Sequence, residues 1–101
     1  MPKMKKLEDS KGLYYFLCPA CKKPHEIGTD PADKFPVWQF NNNMDRPTIR
    51  PSVAVESSWM GEPTYCHSFV TDGKIQFLDD CTHECKGMTL DLPDITKKFE
   101  V

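Results

Sequence analysis

Short apolar segments separated by proline, glycine and asparagine run through this chain, and no long segment repeats its apolar residues at helical spacing. The segments lie at about 12–17, 37–40, 53–56, 66–77 and 88–92, and they are rich in β-branched and aromatic residues. This pattern predicts a mainly β fold, a small antiparallel β domain of five to seven short strands. We expect residues 1–11 to form a flexible tail and 12–101 to form a single zinc-binding domain, with loops at 26–36 and 57–63.

The stretch 66–83 carries the clearest local signal. Asp72-Gly73 adopts positive φ at little cost and therefore favours a two-residue type I′ hairpin turn. With that turn, side-chain alternation places Cys66 and Cys81 together on one face at the open end of the hairpin. The same register brings His67 and Asp80 together on the opposite face.

Two prolines, Pro47 and Pro51, interrupt the segment 46–52. Because proline lacks an amide donor and fixes φ, this segment is predicted to be extended chain at a sheet edge rather than a central strand.

The cysteines indicate a metal site. Five is an odd number, and no apolar leader segment follows the N-terminal lysines, so we expect a reducing cytoplasm in which clustered cysteines bind metal. Cys18-Pro-Ala-Cys21 after an apolar strand is typical of a zinc knuckle. The face argument completes a four-thiolate Zn(2+) site from Cys18, Cys21, Cys66 and Cys81.

Several alternatives stay open at this point. His67 or His83 could replace one thiolate, whereas Cys85 is the least favoured ligand. Cys66 could be a buried small hydrophobic residue. Cys18 and Cys21 could form a redox pair, although no helix follows Cys21 as a thioredoxin-like motif requires. His25 is interpreted as a surface or packing residue.

A second constellation joins His67, Asp80 and His83. Two histidines and a carboxylate could bind another metal or perform acid–base chemistry, with His25 as a further candidate. They could equally orient a metal ligand or cap a turn. Ser68 and Cys66 make poor nucleophiles, because a regular strand lacks the strained turn that hydrolases use and a zinc-bound thiolate is occupied.

The chain resembles a family of small phage and prophage proteins of unknown function over about residues 13–94. Members of this family are often mislabelled ammonia monooxygenase, a large membrane complex, whereas this chain has no apolar run long enough to span a membrane. The resemblance implies a phage origin and the cytoplasm of an infected host bacterium. It also implies a hydrophobic residue at the position of Cys85. The motifs that carry it are Cys18-x-x-Cys21 with His25, Trp38 with Asn41, Arg46-Pro47-Thr48 with Pro51-Ser52, Cys66-His67-Ser68-Phe69, Asp72 to Phe77, Asp80-Cys81-Thr82-His83 and Leu92-Pro93-Asp94.

Two functions follow from these observations. The first is a zinc-stabilised phage accessory protein that binds a host or phage macromolecule, most simply a protein, with counter-defence as one role. The alternative is a metal-dependent hydrolase that uses His67, Asp80 and His83 at an open metal site. The net charge of −2 and the absence of a basic stripe argue against nucleic acid and a membrane surface as partners.

Overall fold

The computed structural model describes residues 2–30 and 37–95, which form eight β-strands and no helix. No helix in this part of the chain is therefore long and apolar enough to cross a membrane. All strand pairs are antiparallel. The strands are β1 (Lys5–Lys6), β2 (Leu13–Cys18), β3 (Lys23–Gly28), β4 (Gln39–Phe40), β5 (Ile49–Trp59), β6 (Glu62–Thr71), β7 (Lys74–Phe77) and β8 (Thr89–Asp91).

The predicted mainly β fold is confirmed, with eight strands where the sequence predicted five to seven. The additional strands β1 and β3 consist largely of Lys, Pro, His and Glu, so their residues do not stand out as β-forming. Part of the loop predicted at 26–36 belongs to β3, and residues 31–36 lie outside the described residues.

Two sheets share one hydrophobic core. The small sheet has the order β1-β2-β3 and the large sheet the order β4-β5-β6-β7-β8. Phe16 and Ile27 of the small sheet and Val70 and Phe77 of the large sheet are almost fully buried in the same cluster. Burying each such side chain stabilises the fold by about 1.5–3 kcal/mol, so this cluster holds the two sheets together.

The hairpin predicted around Asp72-Gly73 is confirmed. Thr71 pairs with Lys74, and the register continues without a slip to Ser68 opposite Phe77. Asp72 and Gly73 have φ angles of 51° and 79°, as the type I′ turn requires.

A second tight hairpin joins β5 to β6 where the sequence predicted a loop at 57–63. Met60 and Gly61 form its turn with φ angles of 51° and 83°, and Trp59 pairs with Glu62. Continuing that register places Ala54 directly opposite His67. This turn therefore decides which residues of β5 lie beside the histidine.

The predicted sheet edge around Pro51 agrees in part with the structure, because β4 pairs with β5 only at Ile49 and Arg50 and, among the described residues, β5 pairs with β6 alone from Pro51 onward. Ile49 pairs with Val70 and Val53 with Ser68, so the three residues 50–52 lie opposite the single residue Phe69. This irregularity takes Pro51 out of the regular β5–β6 ladder, which explains why a residue without an amide donor is tolerated there.

The N-terminal residues differ from the predicted flexible tail. Met4 has no exposed surface, and the amides of Lys3 and Met4 donate to the carbonyl of Met44 over 2.7 and 3.2 Å. Lys5–Lys6 then pairs with β2. The buried side chain of Met4 anchors this segment, although its lysines predicted an exposed tail. At the other end of the chain, residues 96–101 lie outside the described residues.

The two tight turns offer a matched test of backbone packing. Replacing Gly61 by Ala places a Cβ in open space at positive φ, which costs about 1–2 kcal/mol. Replacing Gly73 by Ala adds contacts at 3.3 Å to Lys3 Cδ and 3.4 Å to Arg46 Cα. We expect the Gly73→Ala variant to lose more free energy of unfolding than Gly61→Ala in urea titrations. Equal losses would show that the neighbouring loop yields freely.

Candidate metal centre and active site

Four potential metal ligands meet between the two sheets. Each offers one ligand atom, and these atoms all lie within 4.8 Å of one another. Three members come from the β2–β3 hairpin of the small sheet, and Cys66 comes from β6 of the large sheet. A bound ion would therefore cross-link the sheets. We call this set the metal group: Cys18, Cys21, His25 and Cys66.

The turn between β2 and β3 aims two sulfurs at the same point. The amide of Cys21 donates to Cys18 Sγ over 3.3 Å, and the amide of Lys22 donates to the Cys18 carbonyl over 2.9 Å. Lys22 closes the turn with a φ of 61°. Amide donors of this kind stabilise negative charge on sulfur, so the local structure is that of a metal-binding knuckle.

The thiols of the metal group differ in their ease of deprotonation. The hydrogen bond from the Cys66 thiol lowers the pKa of Cys18 to about 3 despite burial, with a smaller contribution from His25. Burial, followed by the charge on Cys18, raises the pKa of Cys21 to about 11. Donation to Cys18 raises the pKa of Cys66. One thiolate thus forms readily, and a cation would displace the remaining protons.

His25 supplies the evidence that the metal group fits a cation. The residue is only 3% exposed, and its Nε2 is buried without a hydrogen-bond partner among the described residues. An unpaired buried nitrogen is costly, and coordination would remove that cost. Three thiols and one imidazole form a donor set that suits a tetrahedral metal ion.

The fourth position of the site differs from the predicted set, with His25 where the sequence predicted Cys81. Cys81 instead groups with Cys66 and His83. The amide of Cys85 donates to His83 Nδ1 over 3.2 Å, so a neutral His83 ring carries its proton on Nε2 and has no free lone pair for an ion. Alternation brought Cys81 to the correct face, but it did not place it at the knuckle.

On the opposite face of β6, three side chains form a continuous hydrogen-bonded chain. Ser52 Oγ lies 2.8 Å from His67 Nε2, and His67 Nδ1 lies 2.9 Å from Asp80 Oδ2. A carboxylate only accepts hydrogen bonds, so Nδ1 carries the proton and the neutral Nε2 accepts from the serine hydroxyl. The predicted meeting of His67 and Asp80 is confirmed, and Ser52 is an unpredicted third member.

The irregular part of β5 presents Ser52 to the histidine. Ala54 pairs with His67, so Ser52, two residues earlier, lies on the same face and diagonal to it. The register shift between Ile49 and Val53 occurs at this point. Trp38 Nε1 donates to the Ser52 carbonyl over 3.3 Å and holds the serine backbone from the other side.

This triad is open to solvent. The side chain of His67 is 23% exposed and that of Asp80 is 54% exposed. Water screens the half-exposed carboxylate, so we infer that Asp80 acts mainly by orienting the imidazole and fixing its tautomer. The ring of Tyr65 lies 5.6 Å from that of His67. Desolvation and the Asp80 charge raise the pKa of Tyr65.

The other sequence candidates lie elsewhere. Ser68 has no exposed surface and faces the core, as the predicted alternation requires, and Cys66 belongs to the metal group. The ring of His83 packs edge-on against Phe77 at 4.6 Å. Among residues 2–30 and 37–95, His67, Asp80 and His83 do not converge as ligands for one ion. Gly61 was a weak sequence signal for Ser52. A two-residue turn at Met60-Gly61 sets the β5–β6 register, and that register places Ser52 diagonal to His67.

Comparison with known families finds a match over most of the chain. Residues 3–78 match the model of the bacterial ubiquitination-like system serine protease family, BubE. The chain belongs to this family. The match covers about three quarters of the chain and includes Ser52, His67 and the whole metal group, and Asp80 lies two residues beyond it. No curated protein and no solved structure matches the chain. The phage origin stays a prediction.

Two histidines with buried, unpaired Nε2 atoms allow a controlled test of the metal group. His25→Ala should weaken metal binding more than about 100-fold, beyond what the loss of an outer hydrogen bond causes. His83→Ala, the matched control, should keep one ion per chain. Metal content after dialysis, measured by mass spectrometry, checks both. Equal loss in the two variants would refute the assignment of the fourth ligand.

Proposed function

We propose that this protein is a serine protease whose catalytic triad is Ser52, His67 and Asp80. The observation that carries the proposal is the unbroken hydrogen-bonded chain from Ser52 Oγ through the imidazole to Asp80 Oδ2. This arrangement recurs in unrelated hydrolases with different orders along the sequence, and it is recognised by its geometry. Membership of a serine protease family supports the same chemistry.

The geometry supplies the nucleophile and the proton transfers of acyl transfer. Ser52 Oγ attacks the scissile carbonyl while His67 Nε2 takes the hydroxyl proton, and the imidazolium then donates that proton to the leaving amine. The resulting acyl-enzyme is hydrolysed by a water molecule whose proton passes to Nε2. The bond between the acyl carbon and Ser52 Oγ then breaks, and the imidazolium returns that proton to Oγ as the acid product leaves. Asp80 holds the ring and stabilises its positive form in both stages.

We further propose that the substrate is a peptide bond in a protein of a bacterial ubiquitination-like system. The family description supports this class, and the exposure of His67 and Asp80 suits a large substrate. A cavity of about 410 Å³ lies instead beside the metal group, lined by Cys21, Tyr65, Cys66 and His83 among others, and no triad residue lines it. The proposed substrate therefore binds at the exposed surface around the triad and not in this cavity.

Zinc is the cation that we propose for the metal group. Three cysteines and one histidine form a closed structural zinc set with no open position for an activated water. The ion would contribute about 10 kcal/mol or more of apparent binding energy in structural sites of this kind. Its role would be structural, because it would hold the knuckle against β6. The residues of the triad would perform the catalysis.

The compartment that we propose is the bacterial cytoplasm. All five cysteines are free, and three of them belong to the metal group, which suits a reducing environment. The predicted role as a phage accessory protein that binds another macromolecule, counter-defence included, is compatible with a protease and stays a prediction. The predicted alternative, a metal-dependent hydrolase, would use a metal-activated water as its nucleophile, whereas the proposed protease uses Ser52 Oγ.

A fluorophosphonate probe, which reacts with activated serines, tests the triad without a known substrate. We expect stoichiometric labelling of the wild-type protein at Ser52, mapped by peptide mass spectrometry. Ser52→Ala should abolish it, and His67→Ala should slow it at least about 1,000-fold. Ser58→Ala changes an exposed serine on the same strand and should label normally.

The same experiment separates the two hydrolase proposals. A metal-dependent hydrolase would show no covalent labelling, and Ser52→Ala would keep its activity while chelation removed it. Labelling distributed over several serines of the folded protein would also exclude a triad at Ser52.

Removal of the ion tests its structural role. Chelation should produce a cooperative loss of the near-UV circular dichroism signal, because the small core and the two sheets depend on the cross-link. Cobalt substitution should give strong thiolate charge-transfer bands. An unchanged dichroism spectrum in a fully demetallated protein would contradict the structural role of the ion.

A further inference from the structure

The segment that carries Asp80 is attached to β6 by backbone hydrogen bonds. We call residues 78–82 the aspartate loop. Its first amide, from Leu78, donates to the His67 carbonyl over 2.9 Å, and its last amide, from Thr82, donates to the Tyr65 carbonyl over 2.9 Å. The Tyr65 amide donates in return to Thr82 Oγ1 over 2.9 Å. The loop therefore continues along β6 after β7 has ended.

One backbone hydrogen bond of the regular β6–β7 ladder is replaced by a hydrogen bond to the sulfur of Cys81. In an antiparallel pair, His67 and Leu78 would exchange both backbone bonds. Here the Leu78 carbonyl accepts instead from the Cys81 amide over 3.2 Å, and the His67 amide donates to Cys81 Sγ over 3.2 Å. The Cys81 thiol in turn donates to the His67 carbonyl over 3.2 Å. Cys81 thus contacts both backbone polar groups of the catalytic histidine.

These contacts fix the two charged members of the triad relative to each other. Asp80 directly precedes Cys81, and its carboxylate reaches His67 Nδ1 on the face opposite the core. Cys81 is only 5% exposed, and its sulfur is engaged with the backbone of His67. A shift of this side chain would move Asp80 away from the imidazole.

We propose that Cys81 is a positioning residue of the catalytic triad and not a metal ligand. The inference rests on the proposed serine protease. Cys81 touches no reacting atom, and it acts by holding the His67 backbone and the aspartate loop together. Serine at this position would keep a donor and an acceptor, whereas alanine and valine would remove both. Valine would also keep the volume of the buried side chain.

The test compares three variants by their rate of labelling with the fluorophosphonate probe. Cys81→Ala and Cys81→Val should lower the maximal labelling rate about 10- to 100-fold, the scale of a misplaced catalytic group, with unchanged probe affinity. Cys81→Ser should restore most of that rate. All three should keep one metal ion per chain. Cys85→Ala, a half-buried cysteine outside both ligand groups, should match the wild type.

Two outcomes would overturn the inference. Wild-type labelling rates in both Cys81→Ala and Cys81→Val would show that the sulfur positions nothing. Loss of the ion in Cys81→Ser and Cys81→Ala alike would make Cys81 a ligand. If Cys81→Ala fails to fold by near-UV circular dichroism, the valine and serine variants carry the comparison. An unlabelled wild-type protein would instead refute the proposed protease itself.

Discussion

The alternation of side chains along β6 is the constraint on which the rest of the structure depends. Cys66 and His67 are consecutive, so their side chains lie on opposite faces of the large sheet. One of them joins the metal group in the interior, and the other joins the triad at the surface. A slip of one residue would exchange these faces and destroy both sites together. The register of β6 against β5 and β7 therefore decides whether either group of side chains can form.

The interior face of β6 has a structural role, because Cys66 on that face belongs to the metal group, whereas His67 lies on the exterior face. A chain of 101 residues buries a modest core, and small domains often need an additional cross-link. The metal group lies where the knuckle of the small sheet meets β6, and it can supply that cross-link. His67, the proposed catalytic base, lies on the same strand. Rigidity on one side thus supports precise geometry on the other.

Ser52, the proposed nucleophile, lies where the register between β5 and β6 shifts. A serine on an ideal strand is a poor candidate, but Ser52 follows Pro51 in a segment where three residues oppose one. Irregularities of this kind re-aim side chains and are common beside active sites. Trp38 adds a hydrogen bond to the serine carbonyl, which holds this irregular backbone in place. The departure from ladder geometry thus occurs at the residue that contacts His67.

The sequence alone determined the features that depend on local chemistry. The Asp72-Gly73 turn followed from its φ preferences, and it brought His67 to Asp80 and separated them from the cysteine face. The spacing of Cys18 and Cys21 likewise predicted a metal-binding knuckle. Only the tertiary structure selected His25, because the fourth position depends on how two sheets pack. Only it joined Ser52 to the histidine, because that contact requires an unusual turn at Met60-Gly61 and a register shift at Pro51, and neither has a strong local signature.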